Sequence, residues 1–153
     1  MIVYRLSKEK YKNDLSGIGA EIAGGRWNSK GIAMLYTGIS RALCTIEIAI
    51  HTSLGNIPAN YWLTQIEFPD TADILEIDPA ALPPDWKTFP FPHSTQAIGD
   101  KFINDRKVLV MKVPSAVVQG DFNYLINPAH DSFSQVKILS TEVFEFNERL
   151  FRR

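Results

Sequence analysis

Between Asp78 and Pro92 the chain carries five prolines, Pro79, Pro83, Pro84, Pro90 and Pro92, out of nine in all. Each fixes φ and lacks a backbone donor, so regular structure across this stretch must be short. Sheets and helices therefore have to come from the segments on either side. Upstream, Met1–Leu6 reads as a strand, Leu15–Ala23 as a short helix or loop, and Ile32–Thr37 as a buried strand. Arg41–Ser53 is the best helix in the chain, with Ser40 as its N-cap. Tyr61–Phe68 is a strand and Ile74–Ile77 a weaker one. Downstream, Thr95–Asn104 reads as a helix capped by Ser94, and Val108–Val113 as a strand. Asn127-Pro128 marks a turn, and Val136–Leu139 and Glu142–Phe146 read as two closing strands. Strands outnumber helices and do not alternate regularly with them, which predicts one α+β domain over residues 1–153.

Lys plus Arg number 16 against 17 Asp plus Glu, a net charge of -1. That balance argues against a general nucleic-acid binder, which needs a basic surface to displace counterions from phosphates. A few positive groups in one pocket still suffice for a phosphate-bearing small molecule. Cys44 is the lone cysteine, so neither a disulfide within the chain nor a cysteine-based metal site is expected. The longest apolar run, around Ile46 to Ile50, is too short to span a bilayer, and no signal segment opens the chain. The expected location is the cytoplasm.

Gly24-Gly25-Arg26-Trp27-Asn28 is the most unusual stretch. Paired glycines allow positive φ and a close backbone approach to a ligand. Arg26 offers a planar fork of donors suited to phosphate, and Trp27 a rigid apolar wall. Tyr36 follows ten residues after Arg26 at the end of a strand. The same residues also fit a tight hairpin with Arg26 on the surface and Trp27 in the core.

On the helix Arg41–Ser53, Ala42, Leu43, Ile46, Ala49 and Ile50 form one stripe, and Cys44 and Ile48 lie outside it. Apolar nearly all round, this helix is expected to be buried on most sides. Glu47 lies at the edge of the stripe, with His51 one turn further on the same face. A carboxylate there needs a partner or a purpose. One reading is an ion pair between Glu47 and Arg26, with His51 bonded to backbone; the other is a site. Further on, Ser115 follows Pro114 at a strand end but has no Gly-x-Ser-x-Gly elbow around it. Asn123, Asn127 and His130 fit turn positions.

Taken in order, these segments resemble the RES domain, named for an Arg, a Glu and a Ser. Gly24 to Asn28 with Gly31 and Tyr36, then Ala42-Leu43 to Glu47 and His51, resemble its first half. Ile98-Gly99-Asp100, Val113-Pro114-Ser115 and Asn123 to His130 resemble its second half, and Phe146–Arg153 its ending. The three name-giving residues map onto Arg26, Glu47 and Ser115. The resemblance implies a fold similar to ADP-ribosyltransferases with a central NAD-binding cleft. It implies a toxin encoded beside an Xre-like helix-turn-helix antitoxin, with which it is oligomeric. It implies NAD as substrate, without a metal, consumed by hydrolysis or phosphorolysis. The alternatives are transfer of ADP-ribose to a protein, and a non-catalytic nucleotide-binding module. Arg26, Tyr36 and Glu47 are then the candidate catalytic residues. Arg26 and Tyr36 also count among the substrate-binding candidates, with Trp27, Asn28, His51, Ser115 and Asn127. Many ADP-ribosyltransferases place their essential Glu late in the chain, whereas Glu47 comes early.

Overall fold

A computed structural model describes residues 1–152; Arg153, the last residue of the C-terminal segment, lies outside the described residues. In chain order the elements are β1 (Ile2–Lys8), α1 (Ile18–Ala23), β2 (Leu35–Gly38), α2 (Arg41–Ile50), β3 (Tyr61–Glu67), β4 (Ile74–Glu76), α3 (His93–Asp105), β5 (Val110–Pro114), β6 (Phe122–Ile126) and β7 (Lys137–Phe144). The strands form one mixed sheet in the order β4-β5-β6-β2-β1-β3-β7. Only β4 and β5 run parallel; the other neighbours are antiparallel. This is the α+β arrangement expected from the irregular succession of elements. Across the proline-rich stretch the regular structure is one 3-10 turn, Pro79–Ala81, as proline chemistry requires.

Alternation along the strands sorts the core into two faces. Val3, Leu35, Ile66, Val110, Tyr124 and Ile126 pack together on one face. Met111, Val113 and Leu125 point to the other, where Phe102 and Ile103 of α3 cover them. On that same second face Leu6 and Leu63 pack with Cys44 of α2. So α2 and α3 each cover part of one sheet surface. Between them the register places Tyr36 opposite Leu125 and Gly38 opposite Asn123, which points Tyr36 and Asn123 into the gap.

Four expectations need correction. Asn123 is not a turn residue but part of the central strand Phe122–Ile126; Tyr124, Leu125 and Ile126 are buried, as befits a strand covered on both faces. The two closing strands are one, β7, because the polar Ser140 and Thr141 pair with Gln65 and Thr64 at the sheet edge without ending the ladder. Helix α3 starts earlier, with Pro92 at the N-cap position, and Ser94 instead turns its hydroxyl to Asp85. Helix α2 is not buried on most sides. Leu43 and Cys44 face the sheet, while Ala42, Ile46 and Ile50 are exposed. The inward stripe therefore runs through Leu43, Cys44, Glu47 and Ile48, one step round from the expected one, and His51 past the helix end is exposed.

Candidate active site

The backbone from Gly24 to Ser29 crosses the gap between the two helices as a strap. Asn28 fixes its shape: its buried amide donates to the carbonyls of Ala20 (2.8 Å), Ile32 (2.9 Å) and Ser29 (3.2 Å). The Tyr36 hydroxyl donates to Asn28 Oδ1 at 2.7 Å and accepts from the Trp27 amide at 3.0 Å. Gly24 has φ 70°, and a Cβ on Gly25 would lie 2.7 Å from the Tyr36 hydroxyl. The paired glycines thus serve a close approach to Tyr36. Burial pushes the Tyr36 phenol well above its usual range, so it stays protonated and can keep donating to Asn28. Asn28 is fully buried and has no face toward a ligand; the structure makes it a brace for the strap. Trp27 packs with Phe102 and Ile103, which agrees with the core reading, and one edge of it lines the cleft.

Helix α3 holds the strap from behind. Asp100 accepts from the Ser29 amide (2.9 Å) and hydroxyl (2.6 Å), and Gln96 donates to the Gly25 carbonyl at 3.0 Å. The strap passes so near that only glycine fits at position 99. A Cβ there would lie 1.6 Å from the Trp27 carbonyl oxygen.

Arg26 points into the cleft. Its Nη1 donates to the carbonyls of Trp86 (2.5 Å) and Thr88 (3.0 Å), and its guanidinium stands 5.1 Å from the centre of the Phe91 ring. Partial burial lowers its pKa, and the negative charge of Glu47 opposes that shift. The two side chains line one cavity without forming an ion pair, so the ion-pair reading is not the arrangement adopted. The proline-rich segment that Arg26 grips forms one wall, with Lys87, Phe89 and Phe91 lining the cleft.

Glu47 is held by two donors on one oxygen. Asn123 Nδ2 donates to Oε1 at 3.0 Å and the Ser115 hydroxyl donates to the same atom at 3.2 Å. The Ser115 oxygen itself accepts from the amides of Val117 (3.1 Å) and Val118 (3.0 Å). Both its acceptor sites are filled, which leaves its single hydrogen for Glu47. Among the described residues Oε2 has no hydrogen-bond partner. Ser115 is buried and reaches the cleft only through this bond. His51 ends α2 and lines the cleft near Phe89 and Phe91.

Asn127 lies elsewhere. Its amide donates to the carbonyls of Ile103 (3.0 Å) and Phe102 (3.4 Å) in the last turn of α3, and its Oδ1 accepts from Ala129. It satisfies carbonyls that a helix end leaves unpaired, and its side chain is fully buried. His130 keeps a turn role, accepting from the Ser132 amide. Asn123 is the asparagine that lines the cleft and holds Glu47, and sequence reasoning passed it over. The available signal was the alternation Asn123, Leu125 along an apolar strand, which puts Asn123 on the face that carries Tyr36.

Together these groups line a cleft of about 820 Å³, in the size range of small-molecule sites. Its lining offers a carboxylate oxygen and a tyrosine, suited to positive charge and hydroxyl groups. A guanidinium stands at the side, suited to an anion. Aromatic rings stand at the mouth. Among the described residues no group of three or more His, Cys, Asp or Glu is placed to hold a metal ion, and no helix is long and apolar enough to cross a membrane.

Known proteins match the chain along nearly its whole length. The family model of the RES domain matches residues 2–147. The Prs ADP-ribosylating toxin of Sphingobium sp. (strain YBL2) is 35% identical over 143 residues, 92% of this chain and 89% of that protein. Toxin Res of Yersinia enterocolitica is 36% identical over 155 residues, 98% of this chain and 99% of its own length. Among solved structures, a chain of the M. tuberculosis MbcT-MbcA toxin-antitoxin complex superposes with a TM-score of 0.71 at 21% identity, over 98% of this chain and 86% of that one. That likeness extends to the fold.

Proposed function

The chain belongs to the RES-domain family, and on that premise we propose that it is the toxin of a toxin–antitoxin pair and consumes NAD by cleaving the nicotinamide–ribose bond. All of residues 1–153 are taken as one RES domain with a fold related to ADP-ribosyltransferases. The observation that carries the reading is the doubly held carboxylate of Glu47, with one oxygen left over, in the same cleft as Arg26 and Tyr36. Cleaving the bond between the ribose carbon and the nicotinamide nitrogen sends the electron pair to nicotinamide. The sugar passes through an oxocarbenium-like state, as in glycoside cleavage. Glu47 Oε2 then faces the ribose and stabilises that cation. Arg26 receives the diphosphate and Tyr36 walls the nicotinamide end. Ser115 and Asn123 act through Glu47, as positioning residues. An acceptor completes the reaction: water gives ADP-ribose and a proton, phosphate gives the phosphorylated sugar.

Incubating the purified chain with NAD should release nicotinamide, and expressing it alone should arrest bacterial growth and deplete NAD. Co-expression of a neighbouring helix-turn-helix antitoxin should restore both. Intact NAD in the presence of folded protein would exclude the NAD-cleaving reading. The name of the Sphingobium relative favours a second reading, transfer of ADP-ribose to a protein. Growth arrest with an unchanged NAD pool and a mass shift on a cellular protein would select it.

Arg26→Ala should raise KM for NAD by roughly 10- to 100-fold, the range for losing a hydrogen bond to a charged group. Arg26→Lys should recover part of this, because an ammonium cannot both grip the two carbonyls and present a fork to phosphate. Steady-state kinetics at limiting NAD decides it, and a wild-type KM in Arg26→Ala removes Arg26 from the phosphate site.

A further inference from the structure

We propose that Phe89, Phe91 and His51 form the subsite for the adenine half of the dinucleotide; the proposal rests on the NAD reading above. Ring centres lie 5.2 Å apart for Phe89 and Phe91, 6.3 Å for His51 and Phe89, and 6.4 Å for His51 and Phe91. The two phenylalanines meet edge to face at 89°, so the faces of the trio are not stacked closed on one another. Phe89 is 72% exposed, a large apolar surface held at the mouth of a cleft where it covers little of the core. A planar heteroaromatic ring is the ligand chemistry that such faces fit.

The neighbours of the trio favour adenine over nicotinamide. Glu47 and Asn123 mark the reactive end, and Tyr36 lines the cleft with them. His51 follows Glu47 by one helical turn, a rise of about 5.4 Å. The phenylalanine rings stand against it. Arg26 stands over Phe91. A diphosphate on Arg26, with its nicotinamide riboside directed to Glu47, leaves the adenosine as the remaining part of the molecule. The trio, whose Phe91 stands against Arg26, is where the cleft offers it rings. Lys87, exposed on the same segment, adds a positive group next to the diphosphate.

The test is Phe89→Ala, a change at an exposed side chain. Its thermal unfolding is compared with wild type so that affinity is read on folded protein. Binding of ADP-ribose and of nicotinamide mononucleotide is measured by calorimetry, and KM for NAD by kinetics. The expected result is ADP-ribose affinity and NAD KM worsened by roughly 5- to 100-fold, the range for one base-stacking contact. Nicotinamide mononucleotide should bind as in wild type, and Phe89→Trp should restore ADP-ribose binding. Unchanged ADP-ribose affinity and NAD KM in Phe89→Ala would overturn the subsite and leave the NAD reading standing. So would an equal loss for nicotinamide mononucleotide, which would put the reactive end at Phe89. If wild-type protein neither binds ADP-ribose nor cleaves NAD, the functional reading fails and the subsite with it.

Discussion

Replacing Glu47 by Gln should slow NAD turnover by roughly 100- to 1000-fold while NAD affinity and thermal stability stay near wild type. The geometry makes the substitution informative. The new side chain can present its amide oxygen to Ser115 and Asn123, so both positioning bonds survive. What replaces Oε2 is an NH2 group, which donates and carries no negative charge. The loss is thus confined to the oxygen proposed to face the ribose. Arg26 is bonded to the carbonyls of Trp86 and Thr88 and is not ion-paired with Glu47, so no buried cation is stranded. A purely structural Glu47 predicts the reverse: an early melt, with activity falling only as folded protein falls. Turnover, NAD affinity and melting are measured on one sample. Near-normal kcat in folded Glu47→Gln protein removes Glu47 from the chemistry.

Gly99→Ala should be the most destabilising Gly-to-Ala change in the chain. Helix propensity argues the other way, since Ala favours a helix interior over Gly by about 1 kcal/mol. Packing decides the sign. The added methyl would lie 1.6 Å from the Trp27 carbonyl oxygen and 2.6 Å from its carbon, and both are backbone atoms that cannot swing aside. Helix α3 must back away from the strap, straining the bonds that Ser29 donates to Asp100 and that Gln96 donates to Gly25. Overpacking at the upper end of its usual range costs about 3 kcal/mol. For a domain of this size that lowers Tm by roughly 6–12 °C. Circular dichroism melts give the answer; a Tm at or above wild type would mean that the helix and the strap separate freely. KM for NAD should rise as well, because the strap carries Arg26.

The sequence made the local devices legible where one residue has one job. Ser40 caps α2, with its hydroxyl accepting from the Leu43 amide at 3.0 Å, and that cap sets which turn of the helix carries Glu47. Arg26, Tyr36 and Glu47, carried by the strap, β2 and α2, do line one cleft. What stayed hidden depended on long-range pairing. Asn123 looked like a turn residue because asparagines favour turns, and only pairing with β2 and β5 makes Phe122–Ile126 a central strand. Asn127, next to a proline, drew attention for the same chemistry and proved to serve a helix end. Asn28 drew attention through its glycine neighbours, yet its amide is committed to backbone. The exposed side of α2 was misjudged because an apolar stripe shows which residues are greasy, not which of two greasy faces meets the sheet.

The carbonyl grip on Arg26 has a consequence for how any anion is met. A free arginine side chain loses about 2 kcal/mol of rotamer entropy when it is immobilised. Here Nη1 is already fastened to Trp86 and Thr88, and Phe91 lies alongside the guanidinium. The ordering therefore takes place when the chain folds. Nε and Nη2 keep their hydrogens for a ligand that arrives later. The proline-rich wall, stiffened by its own ring geometry, acts as the jig that keeps the guanidinium plane at one angle between visits.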